Sequence, residues 1–253
     1  MSDPSQKTPL EFRVPIPKLP EGQAVTLEEC ERIVLERLEK DPTSRKQSLW
    51  DLAMIYSAAG RKEQSLECMR KLAVLAEGPE ERARCYLALG GKREQANDFE
   101  GAVSYYMAAF EMEPQNTDSW YWINNNLGYS LVQLGRCDEA EGYLQRAVAI
   151  DQGRSNAFKN LGLALLGRNR WTEAADFFVR ATQANAADRR SLVHLEQLVS
   201  EHPELLTEVP GLAGKIEECR GAVNFAAGMQ LDIDKHWNEL RRRQRKPWWA
   251  FWR

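Results

Sequence analysis

Leu27, Ile33, Val34 and Leu38 recur at helical spacing, and Thr26 with Glu29 three residues on forms a capping box ahead of them. The pattern predicts a helix over 26–42 that stops at Asp41-Pro42. Upstream, Pro4, Pro9, Pro15, Pro17 and Pro20 remove backbone donors and push their neighbours toward extended conformations, so residues 1–25 read as a non-helical arm, loose or draped over the body. Downstream, Leu192, Leu195 and Val199 mark a helix in 189–201, and Pro203 and Pro210 punctuate short segments. Ile216, Cys219, Val223, Phe225, Met229, Leu231, Ile233, Trp237 and Leu240 then predict a long helix from about 212 to 244. Gly214, Gly221 and Gly228 fall at seven-residue steps on it, a spacing that either admits a close partner helix or is merely tolerated.

Between these ends the pattern repeats itself, and a fixed period decides architecture before any local reading does. Residues 155–188 place Phe158, Leu161-Gly162, Leu165, Ala174, Phe178 and Ala181 at large and small sites. Residues 121–154 place Leu127-Gly128, Leu131, Gly135, Ala140, Leu144 and Ala147 in the same register, displaced by 34 residues. An upstream block, 83–116, supplies Leu89-Gly90, Ala102, Tyr106, Ala109 and Pro114, and another, 46–79, supplies Leu49, Leu52-Ala53, Tyr56, Gly60, Ser65, Met69 and Leu72. The spacing stretches from Leu52 to Leu89 and again from Leu89 to Leu127, so about one extra helical turn is expected at GPEE and at TDSW.

These blocks resemble the tetratricopeptide repeat family, whose unit is an antiparallel helix pair of about 34 residues. Small residues such as Gly128 with Ala140, or Gly162 with Ala174, let the paired backbones approach while Leu144 or Phe178 fills the gap. Each unit buries its apolar face only by stacking on a neighbour. Two sites depart from the pattern: Ser65 stands where Ala is usual and Arg93 where a large apolar residue is usual. The expected fold is an all-α, right-handed α-solenoid. It divides into the arm 1–25, the helix 26–42, four repeats (46–79, 83–116, 121–154, 155–188), C-terminal capping helices 189–244 and a basic, Trp-rich tail 245–253.

The resemblance also implies where function lies. In this family the first helix of each unit lines a concave face that holds peptides. The second, fifth, sixth and ninth places are Trp122, Asn125, Asn126 and Tyr129 in the third unit, and Asn156, Lys159, Asn160 and Leu163 in the fourth. The following helix offers Arg190 and His194. Asn126 and Asn160 resemble the asparagine ladder with which family members grip extended peptides, since an amide both donates to C=O and accepts from N–H. Lys159 and Arg190 would favour an acidic residue or a terminal carboxylate. The family's carboxylate-clamp arrangement is broken by Leu163, Asp51, Trp50 and Leu87. The bland alternative is that the asparagines are solvated polar residues on helix faces.

Composition narrows the chemistry. No apolar stretch reaches the roughly 18 residues of a membrane helix, and the N-terminus lacks the start of a secretory signal, so a cytoplasmic setting is expected. The five cysteines form no C-x-x-C pair, which argues against disulfides or a zinc site. His194, His202 and His236 sit in no catalytic or metal motif, so neither catalysis, metal nor cofactor is expected.

The chain's formal charge is -3, yet its ending, RRRQRKPWWAFWR, holds Arg241, Arg242, Arg243, Arg245, Lys246 and Arg253 without an acid, and Trp248, Trp249, Phe251 and Trp252 with them. Three readings compete: insertion at an anionic membrane surface, contact with nucleic acid, and docking on the body, a partner or another copy. The acidic body disfavours nucleic acid and leaves self-association open. The sequence therefore points to a non-enzymatic adaptor or scaffold for a protein or peptide ligand, with peripheral membrane attachment through the tail as the alternative.

Overall fold

Thr26 opens the first helix as its sequence predicts. Its Oγ1 accepts from the Glu29 N–H at 3.2 Å, and Glu29 Oε2 accepts from the Thr26 N–H at 3.0 Å. The computed structural model describes residues 26–244, with side chains through residue 238. The arm 1–25 and tail 245–253 lie outside the described residues, as do the side chains of Leu240, Arg241, Arg242 and Arg243; the expected contacts of the tail, from Arg245 and Lys246 to Trp248, Trp249, Phe251 and Trp252, therefore fall outside them too. The chain forms two compact units, one ending at Ile123 and the other beginning at Asn124.

In the first unit, α1 (Leu27–Lys40) is followed by a short turn of 3₁₀ helix, Pro42–Ser44, and by α2 (Arg45–Ala58), α3 (Lys62–Leu75), α4 (Pro79–Glu94) and α5 (Phe99–Phe110). The first part of α6 (Thr117–Gln133) completes it. Each of α1 to α4 packs on its successor. The core of α2 and α3 is built from Leu49, Leu52, Ile55, Tyr56, Leu66 and Met69, with Cys30 and Val34 of α1 laid against it. Ser65 is tolerated within this core because its Oγ donates to the Ala53 carbonyl at 2.8 Å, so burying the hydroxyl leaves nothing unsatisfied. Arg93, the other departure from the repeat pattern, pairs with Asp98 at 3.3 Å. Helix α1 is fixed at both ends. Arg37 donates from Nε to Ser48 Oγ at 3.0 Å and pairs with Asp51, while Glu31 accepts from Tyr56 Oη at 2.9 Å and pairs with Arg61.

The stretched spacings are absorbed in helix length. Helices α4 and α6 run to 16 and 17 residues, against 14 for α2 and 13 for α8, and the residues of GPEE and TDSW fall in or beside their first turns. Glu80, in the added turn of α4, accepts from the Asn116 N–H at 3.2 Å and from Ser119 Oγ at 2.7 Å.

The second unit holds the rest of α6, α7 (Cys137–Ile150), α8 (Ser155–Gly167), α9 (Trp171–Ala184), α10 (Arg190–Glu201), the short α11 (Leu205–Glu208) and α12 (Leu212–Gln244). Helices α7 to α10 pack in succession, and α12 rests on α9 and α10. The close approaches fall where the sequence places glycine: Leu144 covers Gly128, and the ring of Phe178 covers Gly162.

Helix α12 departs from its sequence reading. Leu212, Ile216, Cys219 and Val223 are buried, whereas Phe225, Met229, Leu231, Ile233 and Trp237 are all at least 46% exposed. No atom lies within 4 Å of a Cβ built on Gly214, Gly221 or Gly228, so the seven-residue glycine spacing serves no close approach among the described residues. Among the described residues, the large apolar positions after Val223 keep helical spacing without a core to bury them.

Candidate functional site

The helices of the second unit bring most of the expected groove residues onto one connected face. Asn160 of α8 donates from Nδ2 to Asn125 Oδ1 of α6 at 3.1 Å, and Asn125 Nδ2 donates in turn to Asn126 Oδ1 at 2.9 Å. Asn125 and Asn160 are buried, Asn126 only partly so. The relay ends on an unfilled acceptor, since Asn160 Oδ1 is buried without a hydrogen-bond partner. Buried amides of this kind are normally satisfied, and an orphaned acceptor is costly unless something supplies a donor.

Beside this relay lies a surplus of positive charge. Lys159 is only 7% exposed, yet it makes no ion pair or hydrogen bond among the described residues. Burial pushes its ammonium below the ordinary lysine value, and the nearby Arg190 pushes it further, against a smaller opposing pull from Asp188. The same surroundings act on His194: burial lowers its pKa first, then Lys159 and Arg190, with Asp188 again opposing. Asp188 is already engaged. It accepts from Arg190 Nε at 2.8 Å and from Arg190 Nη2 at 2.6 Å, which holds its carboxyl below the usual range and raises the guanidinium. One acid therefore stands among Lys159, Arg190 and His194.

Phe178 stacks under His194 with ring centroids 5.5 Å apart, and fixes the imidazole to the α9 core. Tyr129 lies near enough to Arg190 to raise its pKa slightly, and both Tyr129 and Leu163 are half-buried. Asn156 is also half-buried. Trp122 belongs to the first unit and lines a cavity there with Trp50. Sequence reasoning passed over Asp188, whose place two residues ahead of Arg190 is an ordinary helix-start signal; its carboxylate also accepts from the Arg190 N–H at 3.1 Å.

Two other chemistries have little to build on. His202 meets Glu204 at 3.1 Å, but Glu204 is exposed and the imidazole stacks on Trp171 at 3.6 Å between centroids. Among the described residues no group of three or more His, Cys, Asp or Glu is placed to hold a metal ion, and no helix is long and apolar enough to cross a membrane.

Comparison with known proteins places this geometry. Tetratricopeptide repeat profiles match residues 47–76, 83–116 and 121–186, together just over half of the chain. The chain belongs to the tetratricopeptide repeat family. Among curated relatives, it is 24% identical over 200 residues to Tetratricopeptide repeat protein 37 of Xenopus laevis, covering 73% of this chain and 12% of that protein. It is 22% identical over 213 residues to Anaphase-promoting complex subunit 3 of Schizosaccharomyces pombe, covering 82% and 30%. The chain thus spans less than a third of these relatives' lengths. Among solved structures it is similar to BtubC from P. vanneervenii, with a TM-score of 0.60 at 16% identity over 82% of this chain and 89% of that one. It is also similar to YrrB, described as a tetratricopeptide repeat protein with an unusual peptide-binding site, with a TM-score of 0.53 at 19% identity over 80% and 98%. At these identities the likeness establishes the fold, an all-α tetratricopeptide solenoid.

Proposed function

We propose that this tetratricopeptide protein is a non-enzymatic adaptor whose second unit holds an extended segment of a partner protein on the face formed by α6, α8 and α10. The observation that carries this reading is the pairing of an orphaned acceptor with an unpaired cation, Asn160 Oδ1 and Lys159, on one face. A peptide N–H answers the first and a carboxylate answers the second, so the segment would present backbone to Asn126 and Asn160 and an acidic side chain or C-terminus to Lys159, Arg190 and His194. Tyr129 and Leu163 supply apolar surface next to them, and Asn156 and Asn125 complete the polar rail. Affinity capture with mass spectrometry on the wild type and on Asn126→Ala/Asn160→Ala tests it. Loss of a specific co-purifying protein, with helicity unchanged by circular dichroism, is expected; equal recovery by the two proteins overturns it.

A second reading rests on α12. Phe225, Met229, Ile233 and Trp237 follow one another at four-residue steps, all exposed, on the helix that leads into the basic tail. Such a row beside clustered cations suits the interface of an anionic membrane, and the protein would then be an adaptor held peripherally at that surface. Co-sedimentation with vesicles containing about one-third phosphatidylserine, compared with a chain ending at Gln244 and with Phe225→Ser/Ile233→Ser, separates this from docking on protein: equal sedimentation by all three ends it.

A further inference from the structure

A cavity of about 370 Å³ opens within the first unit, between α3, α4 and α5, and its reading does not depend on the face of the second unit described above. Successive turns of α4 place Arg82, Tyr86 and Leu89 along it, α3 supplies Arg70, Ala73 and Val74, and α5 supplies Tyr105. Ala73 and Leu89 are buried, Val74 is 82% exposed, and the two arginines and two tyrosines are half-buried.

Charge sets this cavity apart. Arg70 and Arg82 line it, and among the described residues no acid does. Of the half-buried arginines of the first unit, Arg37, Arg70 and Arg93 pair with Asp51, Glu67 and Asp98, whereas Arg82 makes no ion pair among the described residues. Its one side-chain hydrogen bond is long, from Nη2 to the Ala76 carbonyl at 3.4 Å, so most of its N–H donors are left over. Arg70 is itself only partly engaged: Nε donates to Tyr105 Oη at 3.3 Å, and Glu67, 3.6 Å from Nη1, is shared with Lys71 at 3.7 Å. The rings of Tyr86 and Tyr105 lie with centroids 6.5 Å apart and planes 27° from parallel, and the Tyr86 hydroxyl makes no hydrogen bond among the described residues.

We propose that this cavity binds an aryl phosphate, the phosphotyrosine side chain of a partner protein. The phosphate answers the charge. A dianion supplies acceptors to both Arg82 and Arg70, and the planar guanidinium fork is the side chain best matched to phosphate oxygens; a carboxylate, with one charge, would serve the two cations only in part. The ring answers the walls. It would pack on Tyr86 and Tyr105 and on the aliphatic surface of Val74 and Leu89, which a bare phosphate or a phosphoserine would leave uncovered. The volume agrees, since about 300–1,000 Å³ is usual for a pocket that encloses a small organic group together with its polar end.

Isothermal titration of the full chain with a capped Gly-phosphotyrosine-Gly peptide tests the assignment, beside the same peptide carrying phosphoserine or plain tyrosine and beside inorganic phosphate. The phosphotyrosine peptide should bind about tenfold tighter than the phosphoserine peptide or phosphate, through ring packing, and the plain tyrosine peptide should give no measurable binding. Arg82→Gln should weaken the phosphotyrosine peptide by about tenfold or more with an unchanged melting transition, since its guanidinium makes only one long contact with the fold. Val74→Glu, at an exposed position, sets a carboxylate beside the anion and should weaken binding likewise; it keeps the test decisive if Arg82→Gln folds poorly. No binding of the phosphotyrosine peptide, equal binding of phosphoserine, phosphate or plain tyrosine, or an affinity left unchanged in either folded variant overturns the proposal.

Discussion

Gly162 lies beneath the ring of Phe178, so closely that a Cβ built on it would stand 2.7 Å from Cε1 and 2.8 Å from Cδ1. Phe178 is fully buried, so the ring cannot swing into solvent to make room. Alanine would gain about 1 kcal/mol of helix propensity over glycine, but overpacking a filled core costs about 1–3 kcal/mol, and the second effect should win. Gly162→Ala is expected to lower the unfolding midpoint, and Phe178→Leu in the same chain to recover part of the loss.

Lys159 sets stability against binding. Replacing the largely buried Lys159 side chain, whose charge its surroundings desolvate, with a methionine of similar length removes that cost, so Lys159→Met should raise the midpoint of denaturant unfolding. The same change should weaken capture of the partner. A variant that loses stability and binding together would show Lys159 to be a packing residue.

The pH dependence has a definite sign. Burial holds the His194 pKa below its unfolded value, so the unfolded chain takes up a proton first as pH falls. Stability is therefore full above the unfolded value near 6.5, declines as pH drops through it, and levels off below the folded value. His194→Gln should flatten that part of a stability profile measured from pH 7.5 to 5. Lys159 acts in the alkaline range: the penalty of its buried charge is complete below its depressed folded pKa and disappears as pH rises from there toward the unfolded value.

Asp51 is 8% exposed and takes the Arg37 guanidinium together with Gln47 Nε2 at 2.8 Å. Asp51→Ala leaves both donors without that acceptor and loosens α1 from α2, for an expected loss of about 1–3 kcal/mol. Hydrogen exchange should report the change first in α1.

Helix α12 should respond in two zones. Ile216→Ala removes a buried side chain and is expected to cost about 2–4 kcal/mol. Phe225→Ser and Ile233→Ser touch exposed positions and should stay within about 0.5 kcal/mol of the wild type. A comparable loss at Phe225 would mean that the row is covered.

The helix pairs were legible because their pattern is steric. Gly90 under Tyr106, Gly128 under Leu144 and Gly162 under Phe178 each require a missing Cβ opposite a large side chain, and that demand is written at fixed spacing. Helix α12 was legible as a helix and not as a surface, since Phe225 and Val223 look alike to a periodicity argument and differ only in whether α9 and α10 extend beneath them. The asparagines at the sixth place could be located from register, but not the relay between them. That Asn160 spends its amide protons on Asn125 and leaves its carbonyl unmatched depends on how far apart α6 and α8 stand. Trp122 shows the limit of counting places within a unit: a place specifies a direction, while the neighbours that share the cavity with it come from α2 and α4.

Glu80 reaches from the turn added to α4 to the residues that begin the lengthened α6, where Asn116 and Ser119 receive it. The two insertions are therefore a lock and its keeper. Removing either one alone strands the other: a trimmed α4 leaves the start of α6 without its carboxylate, and a trimmed α6 leaves Glu80 pointing at nothing. In a lineage of such repeats the pair should be inherited as a single trait, gained or lost in one step.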